Sequence, residues 1–443
     1  GSILAFAVGI ILFAVLYSVH NRSVTARKLV TVFLTLIVLF IGFALIFGNS
    51  KFIKKSRYLS RLTELSPTAF TVQTRFWAWE AGLKGWAENP KTVLLGWGPE
   101  NFNIPFSKNF NPKFYQGPGS ETLFDRAHNM FVEVWVTMGL AGLAAYLGLF
   151  FAIFKTLSLK LKQRDEDKFI VIGLIPLTVA YMIHNSFIFD TSANFLVFFT
   201  VLGFIYFISC KNEPLDKNLK TSGRVPGPIY QLVAMILFIA ATFLIYRTNI
   251  LPAKANYATT RAIVRGWDGD FNGAVEKYKE ALSYDVPGKY EYRHRFAQYV
   301  MDYGNSRELI PGIIEALDVA IEEVKKNDEN NTIDYLPKLY LSRLNIILGK
   351  DDPQSSHNDE ALKYSMAALE ISPTFMRTYY EIAQAYLNKK DYDKAAEYFE
   401  KPIELNPDVT ISYWYLGITK FENGDIKTAA ELMKTALEKG HSL

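Results

Sequence analysis

The chain has 443 residues, half of them hydrophobic and 15% aromatic, and 48 Lys and Arg against 44 Asp and Glu give a formal net charge of +4. That length allows more than one domain, and so small a charge excess excludes a dedicated nucleic-acid binder. The single cysteine, Cys210, excludes an intramolecular disulfide and a cysteine-cluster metal site; it reads as a small apolar residue at the end of a span.

Up to about Ile250, long apolar runs alternate with basic loops; beyond it the chain is charged and helix-forming. It opens inside an apolar run with neither an initiating Met nor a basic leader. That is not a signal peptide, and the chain is expected to be a piece of a longer membrane protein with earlier spans outside it. Six runs are candidate spans, Ile3–Val19, Leu29–Gly48, Met130–Phe154, Phe169–Phe189, Phe195–Cys210 and Ile229–Asn249; most approach the roughly 20 residues that cross a hydrocarbon core, and the fifth is short. Basic residues crowd three connections: Arg22, Arg27 and Lys28; Lys155, Lys160, Lys162, Arg164 and Lys168; Lys211, Lys217, Lys220 and Arg224. With six crossings these fall on one face, which the positive-inside rule makes cytoplasmic. The loop 49–128 and everything after Asn249 are then extracytoplasmic, although Lys51, Lys54, Lys55, Arg57 and Arg61 run against the rule. Long loops obey it poorly.

Within that loop, Arg75–Glu88 reads as a short amphipathic helix ended by Pro90. Phe76, Trp79, Leu83 and Trp86 share one face, which suits either the bilayer interface or packing on other loop segments. Leu95-Gly96-Trp97-Gly98-Pro99 reads as a turn, whose amides could also approach an anion.

After Ile250 a 34-residue period emerges. Ala361, Ala395 and Ala429 keep it, as do Gly349, Ala383 and Gly417, then Leu348, Ile382 and Leu416, and the pair Pro373 and Pro407. This is the tetratricopeptide period, with small residues where helices cross and Pro at the turn. Pro402 stands where Ala is expected, Asp351–Asp359 suggests a long inter-helix loop, and a degenerate copy surrounds Ala274, Tyr278 and Ala281. The expected fold is therefore all-α: a multi-span transmembrane bundle over 1–250, then an α-solenoid over 251–443 that binds or positions partners.

Chemistry concentrates where the outer loop meets the third span. His128 follows Arg126 and precedes Asn129 at a span mouth. An imidazole moves protons near neutral pH, and a guanidinium matches phosphate oxygens two at a time. Against this stands a histidine that anchors a helix end, and arginines, Arg75 among them, that pair with lipid headgroups. His184, Asn185 and Asp190 near the outer end of the fourth span are either functional polar residues or a hydrogen-bonded helix end. The loop holds no Asp-x-Asp pair, and the chain has neither a Walker loop nor Cys-His metal spacing, so no metal, nucleotide or other cofactor is expected.

Thr74-Arg75-Phe76-Trp77, Asn89-Pro90, Gly96-Trp97-Gly98 and Ala127-His128-Asn129, ahead of Met138-Gly139-Leu140-Ala141-Gly142-Leu143, resemble in their order the O-antigen ligase/polymerase family over roughly residues 1–210. The resemblance implies an N-terminally incomplete GT-C-like bundle in the cytoplasmic membrane. It implies a metal-independent inverting glycosyltransferase that moves a glycan from undecaprenyl diphosphate to a hydroxyl on a glycolipid, a polysaccharide or a protein. It also implies that Arg75 contacts the diphosphate, that His128 is the essential histidine, and that His184 is a second polar position. Arg126 is the candidate for a second arginine, with Asn129 beside it. Two other classes compete: a membrane-anchored repeat scaffold for envelope assembly, and a small-anion transporter, which would want mid-span charges that are nearly absent.

Overall fold

In a computed structural model the described residues are 1–21, 23–46, 69–117, 120, 122–163, 168–210, 227–305 and 310–442. Arg22, Arg164, Lys211, Lys217, Lys220, Arg224 and the cluster from Lys51 to Arg61 lie outside them. The chain divides into two units, Gly1–Asn111 with Thr122–Lys217, and Pro112–Glu121 with Asn218–Leu443. Both are helical.

In the first unit α1 (Ser2–His20) and α2 (Val24–Ile46) precede three short helices, α3 (Phe70–Trp86), α4 (Pro90–Leu95) and α5 (Asn103–Lys108). Three long helices follow, α6 (Met130–Lys162), α7 (Lys168–Asn185) and α8 (Ser192–Cys210). Helix α1 lies along α7 through a stripe of small residues, Ala5, Gly9 and Ala14, with Gly9 against Ala180. Where lipid supplies no hydrophobic drive, small residues let helix backbones approach. Phe150, Ile153 and Leu157 of α6, Val171 and Leu174 of α7, and Ile205 and Ile208 of α8 form one core. Thr191 starts α8 by accepting from the Asn194 and Phe195 amides, so the fifth expected span is a 19-residue helix and not a short one.

Among the described residues, five helical stretches are long and apolar enough to cross a membrane: Ser2–His20, Met130–Lys162, Lys168–Asn185, Ser192–Cys210 and Pro228–Trp267. The remaining expected span is helical over Val24–Ile46, and Phe47 and Gly48 fall outside the described residues. The protein is a membrane protein with multiple spans.

Pro228–Trp267 differs from the expected Ile229–Asn249 because the helix does not stop. Helix α9 (Pro228–Ile245) passes through a π turn, Tyr246–Ile250, into α10 (Leu251–Trp267). Pro252 has no N–H and its ring would crowd the carbonyl four residues back. The wider turn relieves this: Leu251 N–H reaches Tyr246 O, five residues away.

The second unit continues with α11 (Phe271–Ser283), α12 (Lys289–Gly304), α13 (Ile313–Asn330), α14 (Tyr335–Gly349), α15 (Ser356–Ile371), α16 (Met376–Asn388), α17 (Tyr392–Leu405), α18 (Thr410–Glu422) and α19 (Ile426–Glu438). They pack as successive pairs from α10–α11 to α18–α19. Ala361, Ala395 and Ala429 are buried at the crossings, and Gly349 and Gly417 leave room for Asn358 and Met433 of the facing helix. The pair α12–α13, which keeps no visible period, is held by Phe296, Ala297, Val300, Leu317 and Ala320.

Candidate functional site

Helix α3 buries its small residues: Thr74, Ala78, Ala81, Gly82 and Gly85. Gly82 receives the Phe102 ring and Gly85 receives Pro105, which seats α5 against α3. Three tryptophans bond to protein carbonyls: Trp79 Nε1 donates to Ala127 O at 2.7 Å, Trp86 Nε1 to Val93 O at 3.1 Å, and Trp97 Nε1 to Gly85 O at 3.1 Å. For Trp79 and Trp86, packing on neighbouring segments is therefore the reading that holds, while Phe76 stays exposed.

Asn89 caps α4 in a reciprocal box with Thr92. The turn after it has Gly96 at φ 71° and Gly98 at φ 94°. Its amides do not face an open anion site. Trp97 N–H donates to Val136 O at 3.2 Å and Gly98 N–H to Thr137 O at 2.7 Å. Those carbonyls are free because α6 breaks at Gly139, whose φ is 64° and ψ −166°.

Helices α6 and α7 are consecutive and pack together, so the start of α6 and the end of α7 lie at one end of the bundle. His128 stands there at φ 53°, its ring edge-on to Phe124 at 5.4 Å and to Phe189 at 5.5 Å. The neighbouring peptide is held from both sides. Ala127 N–H donates to Glu133 Oε2 at 2.7 Å, and Ala127 O accepts from Trp79. Asn129 caps α6, its Oδ1 accepting from Phe131 N–H at 2.9 Å and Val132 N–H at 3.2 Å. His128 Nδ1 lies 3.2 Å from Arg126 O. A carbonyl only accepts, so Nδ1 carries a proton in this contact, and in the neutral ring Nε2 is then the nitrogen with the lone pair.

Arg126 packs its guanidinium 5.3 Å from the centre of the Phe189 ring and pairs with the Glu100 carboxylate. Arg126 and His128 therefore share Phe189. Arg75, half-buried on α3 one turn before Trp79, has no acidic partner among the described residues. His184 is set apart by its contact, Nδ1 to Ser2 Oγ at 3.2 Å. Its neighbours form a buried cluster: Tyr181 OH donates to Asp190 Oδ2 at 2.7 Å and Asn185 Nδ2 to the same oxygen at 3.0 Å. Burial pushes the Asp190 carboxyl above its usual range. This cluster joins the His128 group through the bond from Phe189 to Asp190.

Glu133 escaped the sequence reading. It is 3% exposed in the first turn of α6, and its Oε1 has no hydrogen-bond partner among the described residues. A carboxylate opening an apolar span is the signal that could have found it. The arrangement offers a proton acceptor on the imidazole, the Arg126 guanidinium for an anion, and aromatic edges around the ring; no contact among the described residues joins Arg75 to it.

Comparison with known proteins agrees with both halves of the sequence. Residues 1–147 match the family described as O-Antigen ligase, and residues 377–409 match the Tetratricopeptide repeat. Among solved structures, the crystal structure of MamA is 25% identical, covers 40% of this chain and 93% of its own, and has a TM-score of 0.32. MamA 41-end from Desulfovibrio magneticus RS-1 is 18% identical, with coverages of 42% and 94% and a TM-score of 0.33. TTC0263, a thermophilic TPR protein in Thermus thermophilus, is 16% identical, with coverages of 42% and 91% and a TM-score of 0.32. No curated protein matches the chain.

Proposed function

We propose that this chain, which joins an O-antigen ligase domain in its N-terminal region to C-terminal tetratricopeptide repeats, moves a glycan from undecaprenyl diphosphate to an acceptor hydroxyl on the outer face of the cytoplasmic membrane. The family implies glycosyl transfer from a lipid-linked glycan. The observation that carries the finer reading is the His128 tautomer, set by the contact of Nδ1 with Arg126 O.

The acceptor hydroxyl gives its proton to His128 Nε2 as its oxygen bonds to the anomeric carbon. The bond from that carbon to the diphosphate oxygen breaks, and the electron pair leaves with the diphosphate. Attack opposite the leaving group inverts the anomeric centre. The leaving group is already good, so no general acid and no metal is needed. Arg75 and Arg126 stabilise the charge that grows on it, Arg126 exchanging Glu100 for the incoming phosphate. Phe124 and Phe189 screen the imidazole from water, which strengthens each charge interaction.

Topology supports the orientation. Lys155, Lys160, Lys162 and Lys168 gather at the α6–α7 connection, and His128 stands at the other end of α6, about 50 Å of helix away at 1.5 Å per residue. With the basic end in the cytoplasm, the site faces outward. The test is deletion in the source cell. Unattached lipid-linked glycan should accumulate, and wild type but not Arg75→Ala should clear it. Accumulation of single repeat units would mark a polymerase instead, and no accumulation at all would refute transfer.

A further inference from the structure

Pro112–Glu121 belongs to the second unit, although the chain on both sides of it belongs to the first. Its described residues, 112–117 and 120, are tied to one another. Pro112–Phe114 makes a 3-10 turn, Tyr115 N–H donates to Pro112 O at 3.0 Å, and Gln116 N–H to Ser120 Oγ at 2.9 Å. Ser120 N–H returns to Gly117 O at 3.2 Å, and Gly117 takes φ 128°.

The last two repeats hold these residues. Tyr115 is 5% exposed and buried among Met376 of α16 and Val409 and Ile411 around the start of α18, with the Tyr380 ring at 5.6 Å. The backbone is read as well. Asn406 Nδ2 donates to Tyr115 O at 3.2 Å and to Pro112 O at 3.4 Å. Arg377 donates to Ser120 O at 3.1 Å and lies 5.8 Å from the centre of the Tyr115 ring. Its neighbour Arg343 is paired with Glu381 at 2.5 Å, whereas Arg377 has no acidic partner among the described residues. The Ser120 carbonyl and the Tyr115 ring therefore stand in for a counter-ion. Burial also pushes the Tyr115 phenol up to about 12, which keeps it neutral in this site.

We infer that the surface of the last two repeats is a docking site for this chain's own residues 112–117 and 120, anchored by Tyr115, and that docking governs the stretch of chain that ends at His128. One aromatic anchor in a pocket and two side chains reading carbonyls are what peptide recognition uses. Ser120 stands eight residues before His128, at most about 28 Å of extended chain. Holding Ser120 thus confines the loop that carries Arg126 and His128. The docking stands on contacts alone; its control of transfer rests on the function proposed above.

Hydrogen–deuterium exchange on the full chain in detergent reads the docking directly. The amides of Tyr115, Gln116 and Ser120 should be protected in the wild type. Tyr115→Ala, from the loop side, and Asn406→Ala, from the repeat side, should each speed their exchange roughly tenfold or more, with protection in α16 to α19 unchanged. Tyr115→Phe keeps the ring and should keep the protection. Unprotected amides in the wild type, or protection that survives both alanine variants, would overturn the docking. Glycan transfer by Asn406→Ala tests the control: transfer should fall with protection, and faster exchange with wild-type transfer would overturn that half. If the wild type transfers no glycan, the proposed function fails while exchange still decides the docking.

Discussion

Gly96 and Gly139 meet backbone to backbone, so closely that neither has room for a β-carbon. A methyl on Gly139 would stand 2.6 Å from Gly96 N and 2.4 Å from the Leu94 carbonyl, and one on Gly96 would stand 2.3 Å from the Thr137 carbonyl. Both residues also take positive φ. The contact explains the broken helix: α6 opens at Gly139, and the Gly96 turn occupies the carbonyls released there.

Gly139→Ala should therefore destabilise the first unit by roughly 2–4 kcal/mol, combining overpacking with left-handed strain. Gly148→Ala on the same helix, where nothing lies within 4 Å, is the control. Thermal unfolding in detergent separates the two. Equal melting of both variants would refute the account of the kink.

Glu133 positions the His128 loop through the Ala127 amide. Glu133→Ala leaves the buried Ala127 N–H without its acceptor, a loss of roughly tenfold to a hundredfold in kcat with KM little changed. Glu133→Gln keeps an acceptor oxygen and should recover most of it. A variant that loses activity only through KM would place Glu133 in substrate binding instead.

Arg126 and Glu100 form a pair in which the carboxylate is largely exposed, 68% against 24% for the arginine side chain. Exposed pairs are weak and screened by salt. Glu100→Gln should free Arg126 for the donor and lower KM for the lipid-linked glycan by up to about threefold at low salt. The gain should shrink as salt rises. A raised KM would show that Glu100 organises the site and does not compete for it.

In the repeats, burial holds the His294 imidazole down at about 4, against 6.5 for a free histidine. It is packed by the Tyr290 and Tyr340 rings, and Asn327 Nδ2 lies 3.4 Å from Nδ1. Between pH 6.5 and 4 the unfolded chain binds a proton that the folded chain does not. Stability should fall as the pH falls through that window, by roughly 3 kcal/mol in all. Urea unfolding of the full chain from pH 7 to 4 measures it. A His294→Gln variant with the same pH dependence would assign the effect to other groups.

Much of this architecture was legible in the sequence because its causes are local. Apolar length marked the spans, and Ala361, Ala395 and Ala429 marked helix crossings that demand a small residue. The pair α12–α13 left no such trace, since Phe296 and Val300 fill its contacts with other shapes. His128 and Arg126 stand out in the sequence by their place at a span mouth, and both border Phe189. What stayed hidden is non-local. Nothing near Gly139 announces that Trp97 and Gly98 will take its neighbours' carbonyls. Tyr115 finds Asn406 across 291 residues of chain.

The central claim is that His128 Nε2 accepts the acceptor's proton. Glycan transfer by full-length His128→Ala in proteoliposomes, with a lipid-linked glycan as donor, tests it most directly. The account predicts a loss of roughly 10²- to 10⁴-fold in kcat with the protein folded and inserted. Transfer within a few-fold of wild type would contradict it.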